Sequence, residues 1–389
     1  MDKHFIPLSV PNLKGNELKY VTTAVETEWV STGGPFVSDF EAKLAQYVHC
    51  PNAVSCQSGT AGIHTALIIL GIERDDEVIV PTLTFIAAAN PVRYIGAEPV
   101  FMDCDDSLCM DPVKLRRFCQ EECCFKNGKL LDKKNGRHIK AVIVVHVFGN
   151  MADMESILEI AKQYNLKVIE DATEALGTYY TTGTYAGKYA GTMGDIGIYS
   201  FNGNKIITTG GGGMIVSENS DYLKLAKHLT TQAKSDELYY THDMVGYNYR
   251  MTNLQAALGL AQLEQLEQFI DIKLRNYREY SKILKNIRGL SLLPFCDMIR
   301  SNHWFYGVFC GEDYPVDRDQ LIHYLAENKV QSRPIWGLIN EQLPYQDARA
   351  YHIERARYYW KHVVNIPCST NLSNDDIQQV GALLDIGKR

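Results

Sequence analysis

AVIVVHVFGNMADMESILEIAKQYNLKVIEDATEALG (141–177) carries two hydrophobic periods in succession. Residues 141–149 are an apolar, β-branched run without alternation, the pattern of a strand buried on both faces. MESILEIAKQYN then sets Ile157, Leu158 and Ala161 on one side of a helix. A second buried strand, KVIEDA (167–172), follows and ends in Glu170-Asp171. Doubly buried strands alternating with helices belong to a mainly parallel sheet covered on both sides.

The same alternation extends outward over residues 54–216. EVIVPTLTF (77–85) and IGIYSF (196–201) read as further buried strands, and AGIHTALIILG (61–71) as a helix with Ile63, Ala66, Leu67 and Leu70 on one face. DPVKLRRFC (111–119) opens with Asp111 and Pro112, an N-cap followed by the proline that suits a first helical position. KNGKLLDKKNGRH (126–138) is basic, aperiodic and rich in turn residues, so it is predicted to be an exposed excursion. After residue 250 the texture changes. Leu254, Ala257, Leu258, Ala261, Leu263 and Leu266 form the stripe of one long helix over 251–287. It reads as a link to a C-terminal unit with a strand in HWFYGVFC (303–310) and a helix in DRDQLIHYLAENK (317–329). The expectation is an α/β protein with a large domain over 1–250, including an N-terminal arm, and a linking helix plus small α+β domain over 251–389.

Composition excludes some functions. The chain has 389 residues, 46% of them hydrophobic, enough for a large core. A net charge of −7 gives no clustered basic face for nucleic acid. No segment approaches the roughly 18 consecutive apolar residues of a membrane span, and the N-terminus shows no signal-peptide pattern. A cytoplasmic protein without membrane or nucleic-acid partners is expected. The ten cysteines form no C-x-x-C pair. Cys119, Cys123 and Cys124 read as reduced, partly buried thiols in a helix, and no metal site is expected.

Four motifs suggest chemistry. In QSGTAGIHTAL (57–67), Ser58, Gly59 and Thr60 sit where a strand hands over to a helix, whose free N–H groups and dipole suit a phosphate. Alone, this is also an ordinary Ser/Thr cap. In VIEDATEALG (168–177), Asp171 ends a buried strand, where open α/β sheets gather ligands. A carboxylate there can hold the protonated ring nitrogen of pyridoxal phosphate, or simply cap a helix. DIGIYSFNGNKIITTGGGGMIVS (195–217) places Lys205 just past a strand, 34 residues after Asp171, suited to form an imine with an aldehyde cofactor. Four glycines, Gly210 to Gly213, follow the lysine rather than precede it, so neither a P-loop nor a dinucleotide fingerprint fits. The fourth, VGYNYRMTNLQAALG (245–259), brings Asn248 and Arg250 ahead of the long helix, and by itself reads as a capped polar loop. His146 reads as a satisfied core histidine. Arg333, in QSRPIW, suits either a diphosphate or carboxylate contact or a solvated loop.

In sequence order, STGGPFVSDFEAKLAQYV (31–48), SGTAGIHTAL (58–67), VIVPTLTFIAAANPV (78–92), HVFGNMADM (146–154), EDATEALG (170–177), SFNGNK (200–205) and GYNYRMTNLQAALG (246–259) span nearly the whole chain. The series resembles the DegT/DnrJ/StrS family of sugar aminotransferases. The resemblance implies a fold type I pyridoxal-phosphate enzyme, usually a homodimer with shared active sites. It makes Lys205 the Schiff-base lysine and Asp171 the partner of the pyridine nitrogen. Phe85 matches the aromatic that stacks on the ring, and Gly59, Thr60, Ala61 and Ser200 match the phosphate site. Asn248 matches the residue that reaches the phosphate from the other subunit. Glu174 stands where many relatives have Gln or His, and the run GGGG where relatives often read GEGG. These fragments are most similar to the subgroup serving legionaminic acid and bacillosamine synthesis. They imply glutamate as donor, 2-oxoglutarate as its product, and C4 of UDP-4-keto-6-deoxy-N-acetylglucosamine as acceptor. Two alternatives stay open: a sugar dehydratase using the same pocket, although dehydratase relatives have exchanged the lysine for histidine, and a non-catalytic binding protein on the same scaffold.

Overall fold

The structure, a computed structural model, describes residues 4–236 and 238–386. Two helices, α1 (Glu17–Glu26) and α2 (Pro35–Tyr47), precede the sheet. Then come β1 (Ala53–Cys56), α3 (Gly59–Ile69), β2 (Glu77–Pro81), α4 (Asn90–Tyr94), β3 (Glu98–Met102) and α5 (Pro112–Glu121). Next are β4 (Cys123–Lys126), β5 (Lys129–Asp132), β6 (His138–Val145), α6 (Met154–Tyr164), β7 (Lys167–Asp171) and β8 (Tyr179–Tyr180). β9 (Ile196–Ser200), β10 (Gly213–Val216), α7 (Ser220–Thr230), β11 (Lys234–Asp236) and β12 (Thr241–His242) lead to α8 (Asn253–Leu263) and α9 (Leu266–Leu284). The chain closes with β13 (Leu290–Leu292), β14 (Ile299–Arg300), β15 (Tyr306–Cys310), α10 (Arg318–Glu327), β16 (Arg333–Pro334), β17 (Arg349–Tyr351), α11 (Arg355–His362), β18 (Val363–Ile366) and α12 (Asn374–Leu384).

The central sheet runs β1-β10-β9-β7-β6-β2-β3-β17, with the β4–β5 hairpin attached beside β6. β9, β7, β6, β2, β3 and β17 are mutually parallel, while β10 runs against both of its neighbours. This is the mainly parallel α/β architecture expected of fold type I. β2, β9 and β10 are buried almost throughout, as their unalternating apolar sequences require. The carboxyl ends of β1, β2, β6, β7 and β9 share one edge of the sheet, and the chain leaving that edge builds the site.

Three local features differ from the sequence expectation. The excursion at 126–138 is in part the β4–β5 hairpin, paired antiparallel through Leu130 to Ile139 of β6. Its short, largely exposed strands have too few buried positions to leave a period. Cys123 and Cys124 lie in β4 rather than in a helix, and Cys124 is exposed. The predicted long helix is two, α8 and α9, separated at Glu264 and Gln265. Its apolar stripe continues across the break, so the pattern does not register it.

A second, four-stranded sheet, β13-β15-β18-β16, forms wholly from residues after 289. β17, from the same part of the chain, joins the edge of the central sheet beside β3. Among the described residues, no helix is long and apolar enough to cross a membrane, and no group of three or more His, Cys, Asp or Glu could hold a metal ion.

Candidate active site

A cavity of about 210 Å³ opens at the carboxyl edge of the sheet. Gly59 and Thr60 come from the start of α3, Phe85 from the chain after β2, Asp171 from the end of β7 and Glu174 from the turn after it, and Ser200 and Lys205 from the end of β9 and beyond. Ser58 caps α3, its hydroxyl accepting the Ala61 N–H at 3.1 Å. The first N–H groups of α3, from Gly59 and Thr60, have no protein acceptor among the described residues and stand beside the cavity. The polypeptide is crowded here. A Cβ on Gly213 would sit 2.7 Å from the Ser58 carbonyl group, and one on Gly59 would meet Thr173 at 2.9 Å. Glycine at 213 lets β10 run directly behind the helix N-terminus.

Lys205 is only 12% exposed along its side chain, and its Nζ lies 3.8 Å from Glu174 Oε1. The same Nζ stands 4.1 Å from the centre of the Trp304 ring. Burial lowers the Lys205 pKa, while Glu174 and Asp171 pull it back up. Burial pushes Glu174 up to about 7, against the opposing pull of Lys205. Its Oε2 accepts the Phe148 N–H at 2.8 Å, which fixes the carboxyl group in the wall. Asp171 is also raised by burial, countered by hydrogen bonds from Thr173, whose N–H donates to Oδ1 at 3.1 Å. Two buried carboxyl groups and one buried amine thus face a single space, an arrangement suited to holding a cationic ring and moving a proton.

Two expected residues stand elsewhere. Ala61 is buried and does not line the cavity, and its N–H is already taken by Ser58. Asn248 is exposed and bridges to Thr231 in the segment leading to α8, away from the cavity of its own chain. His146 is a core histidine. Its Nδ1 accepts the Ala152 N–H at 3.2 Å, so its Nε2–H donates to Glu170 at 2.9 Å. Arg333 lies exposed on β16. Sequence reasoning missed Trp304, Trp336, Asn202 and Asn204, which also line the cavity. Trp304 sits inside a run that reads only as an apolar strand, so its sequence carries no signal of the site.

A mainly parallel sheet with a buried lysine and aspartate at its carboxyl edge defines the class of fold type I pyridoxal-phosphate enzymes. The chain belongs to the DegT/DnrJ/EryC1/StrS aminotransferase family, whose model matches residues 11–385. It is a pyridoxal-phosphate-dependent sugar aminotransferase. It is 37% identical over 382 residues to the GDP-perosamine synthase of Caulobacter vibrioides, covering 98% of this chain and 97% of that one. It is 28% identical over 381 residues to the UDP-4-amino-4,6-dideoxy-N-acetyl-beta-L-altrosamine transaminase of Campylobacter jejuni, covering 96% and 95%. A DegT DnrJ EryC1 StrS aminotransferase from Brucella abortus has a similar structure, with a TM-score of 0.85, 25% identity, and coverage of 95% and 94%.

Proposed function

We propose that this enzyme moves the amino group of glutamate to C4 of a nucleotide-linked 4-keto-6-deoxy sugar, with Lys205 as Schiff-base and proton-transferring lysine. The observation that carries the reading is the buried Lys205 amine, set between Glu174 and the Trp304 ring in a cavity that Asp171 also lines. The residues fit pyridoxal phosphate. Gly59 and Thr60 present unpaired N–H groups at a helix N-terminus for the phosphate, and Ser200 adds a hydroxyl. Asp171, its pKa raised by burial, gains a counter-charge from a protonated ring nitrogen. Phe85, 55% exposed, offers a ring face at the mouth.

When bound, pyridoxal phosphate supplies an aldehyde for amines and a ring that takes up the electron pair of the reacting carbon. Lys205 takes the proton from the donor carbon and later delivers one to the sugar carbon. Asp171 would hold the protonated ring nitrogen, and Glu174, titrating near neutrality, stands within reach of the Lys205 amine. Phe85, Trp304 and Trp336 give the cavity an aromatic wall. Ala61, next along α3, supports that helix N-terminus while its N–H stays with Ser58. Asn248 serves the site of a second copy in a homodimer, a role its exposed position permits. The cofactor-binding domain is taken to span 1–250 and the C-terminal domain 251–389.

For the acceptor we favour UDP-4-keto-6-deoxy-N-acetylglucosamine, on the similarity of EDATEALG and SFNGNKIITTGGGG to enzymes of that subgroup. A GDP-linked acceptor is the second reading, favoured by the 37% identity to a GDP-perosamine synthase. The test is to offer each 4-keto sugar nucleotide with glutamate and measure amino sugar and 2-oxoglutarate together. Equal amounts of both, with the UDP-linked ketone preferred, support the proposal. Consumption of the sugar without 2-oxoglutarate points to dehydration, and preference for the GDP-linked ketone selects the second reading.

A further inference from the structure

We propose that Trp304 is a positioning residue for Lys205, holding its amine on the indole face and aiming it into the cavity. Trp304 is 2% exposed, and its ring centre lies 4.1 Å from Lys205 Nζ. The same side chain fixes the backbone next to that lysine, its Nε1–H donating to the Asn204 carbonyl at 2.7 Å. One residue thus grips Lys205 at both ends, backbone and amine. The indole is itself anchored. The Trp304 N–H donates to Asn302 Oδ1 at 2.9 Å, and Asn302 Nδ2 donates to the Glu174 and Leu176 carbonyls at 2.9 Å. Behind the ring, Lys273 Nζ donates to the Trp304 carbonyl at 2.8 Å and to the Cys368 carbonyl at 2.7 Å. Phe305 stacks on Trp304 at 4.0 Å and 8°.

The charged groups facing the Lys205 amine are Glu174, from the turn after β7, and Asp171, from the end of β7. A carboxylate binds the ammonium strongly and the free amine weakly. An aromatic face attracts the ammonium through its quadrupole and still packs against the neutral amine. The amine therefore keeps its position when it loses its proton, as a group that moves protons must. This role rests on the reading of Lys205 as the Schiff-base lysine.

The test uses cofactor-free protein. Lys205 is labelled with an amine-reactive reagent across a pH series, and its modified peptide is followed by mass spectrometry. Trp304→Leu keeps an apolar wall without the quadrupole and should lower the labelling midpoint by about half a pH unit or more. Trp304→Phe should recover most of the wild-type midpoint. Uniform replacement of tryptophan by mono- and difluorinated analogues preserves shape and hydrogen bond, and should lower the midpoint stepwise even if Trp304→Leu does not fold. In the loaded enzyme, Trp304→Leu should lower kcat with KM held and raise the isotope effect from glutamate deuterated at its alpha carbon. Midpoints that ignore both the fluorine series and Trp304→Leu overturn the proposal. If instead Lys205→Ala keeps the wild-type visible band, the underlying assignment of Lys205 has failed, and that outcome is separate from the labelling result.

Discussion

Glu174 titrates where enzymes are assayed. Burial lifts it to about 7 and Lys205 restrains the rise, so the carboxyl group passes from neutral to charged near neutral pH. The rate of amino transfer from glutamate should show an inflection near pH 7 that Glu174→Gln removes, measured by single-turnover absorbance across pH. An inflection unchanged in the variant would assign it to another group. At this scale the sequence was partly readable. Asp171 ends, and Lys205 follows, a strand whose buried pattern is unmistakable, so their place at the carboxyl edge could be foreseen. Trp304 could not, since it reaches the cavity from a distant part of the chain. That the Ser58 hydroxyl takes the Ala61 N–H could not be foreseen either, because it depends on a side-chain rotamer.

The element that bears most on cofactor binding is β10. It runs antiparallel between β1 and β9, and Gly213 begins it directly behind the Ser58-Gly59 turn. A methyl group at 213 meets backbone rather than a flexible side chain, so the β1–α3 turn must move. Gly213→Ala should cost about 1–3 kcal/mol in stability. It should also weaken pyridoxal-phosphate retention, read by equilibrium dialysis alongside urea unfolding. Retention as tight as wild type would show that the turn has room to shift. Buried parallel strands were recognisable from unbroken apolar runs. The β4–β5 hairpin was not, for its strands are four residues each and bury too few positions to leave a period. The separation of α8 from α9 was also hidden, because both helices bury the same stripe.

Across the whole molecule, one buried core joins the central sheet to the C-terminal segments. The edge of that union is electrostatic. Arg349 of β17 pairs with Glu122 at 2.6 Å and with the buried Asp132. Glu77 Oε1 accepts from Asn135 at 2.7 Å, while its buried Oε2 has no hydrogen-bond partner. Burial pushes Glu77 up to about 7, opposed by Asn135 and reinforced by Asp132. A carboxyl group raised on folding binds its proton more tightly in the folded state. Stability therefore falls as pH rises from about 4.5 to about 7. Glu77→Gln should remove that loss, making the variant more stable than wild type at pH ~8 by on the order of 1–3 kcal/mol and nearly equal at pH ~4. Urea midpoints at the two pH values decide it, and a variant less stable at the higher pH would contradict the assignment.

The central claim, that Lys205 carries the cofactor and starts amino transfer, is tested most directly by absorption spectra of wild type and Lys205→Ala loaded with pyridoxal phosphate, before and after glutamate. The wild type should show a visible Schiff-base band that glutamate abolishes, and the variant should never form that band. A variant with the wild-type band and the same response to glutamate would contradict the account.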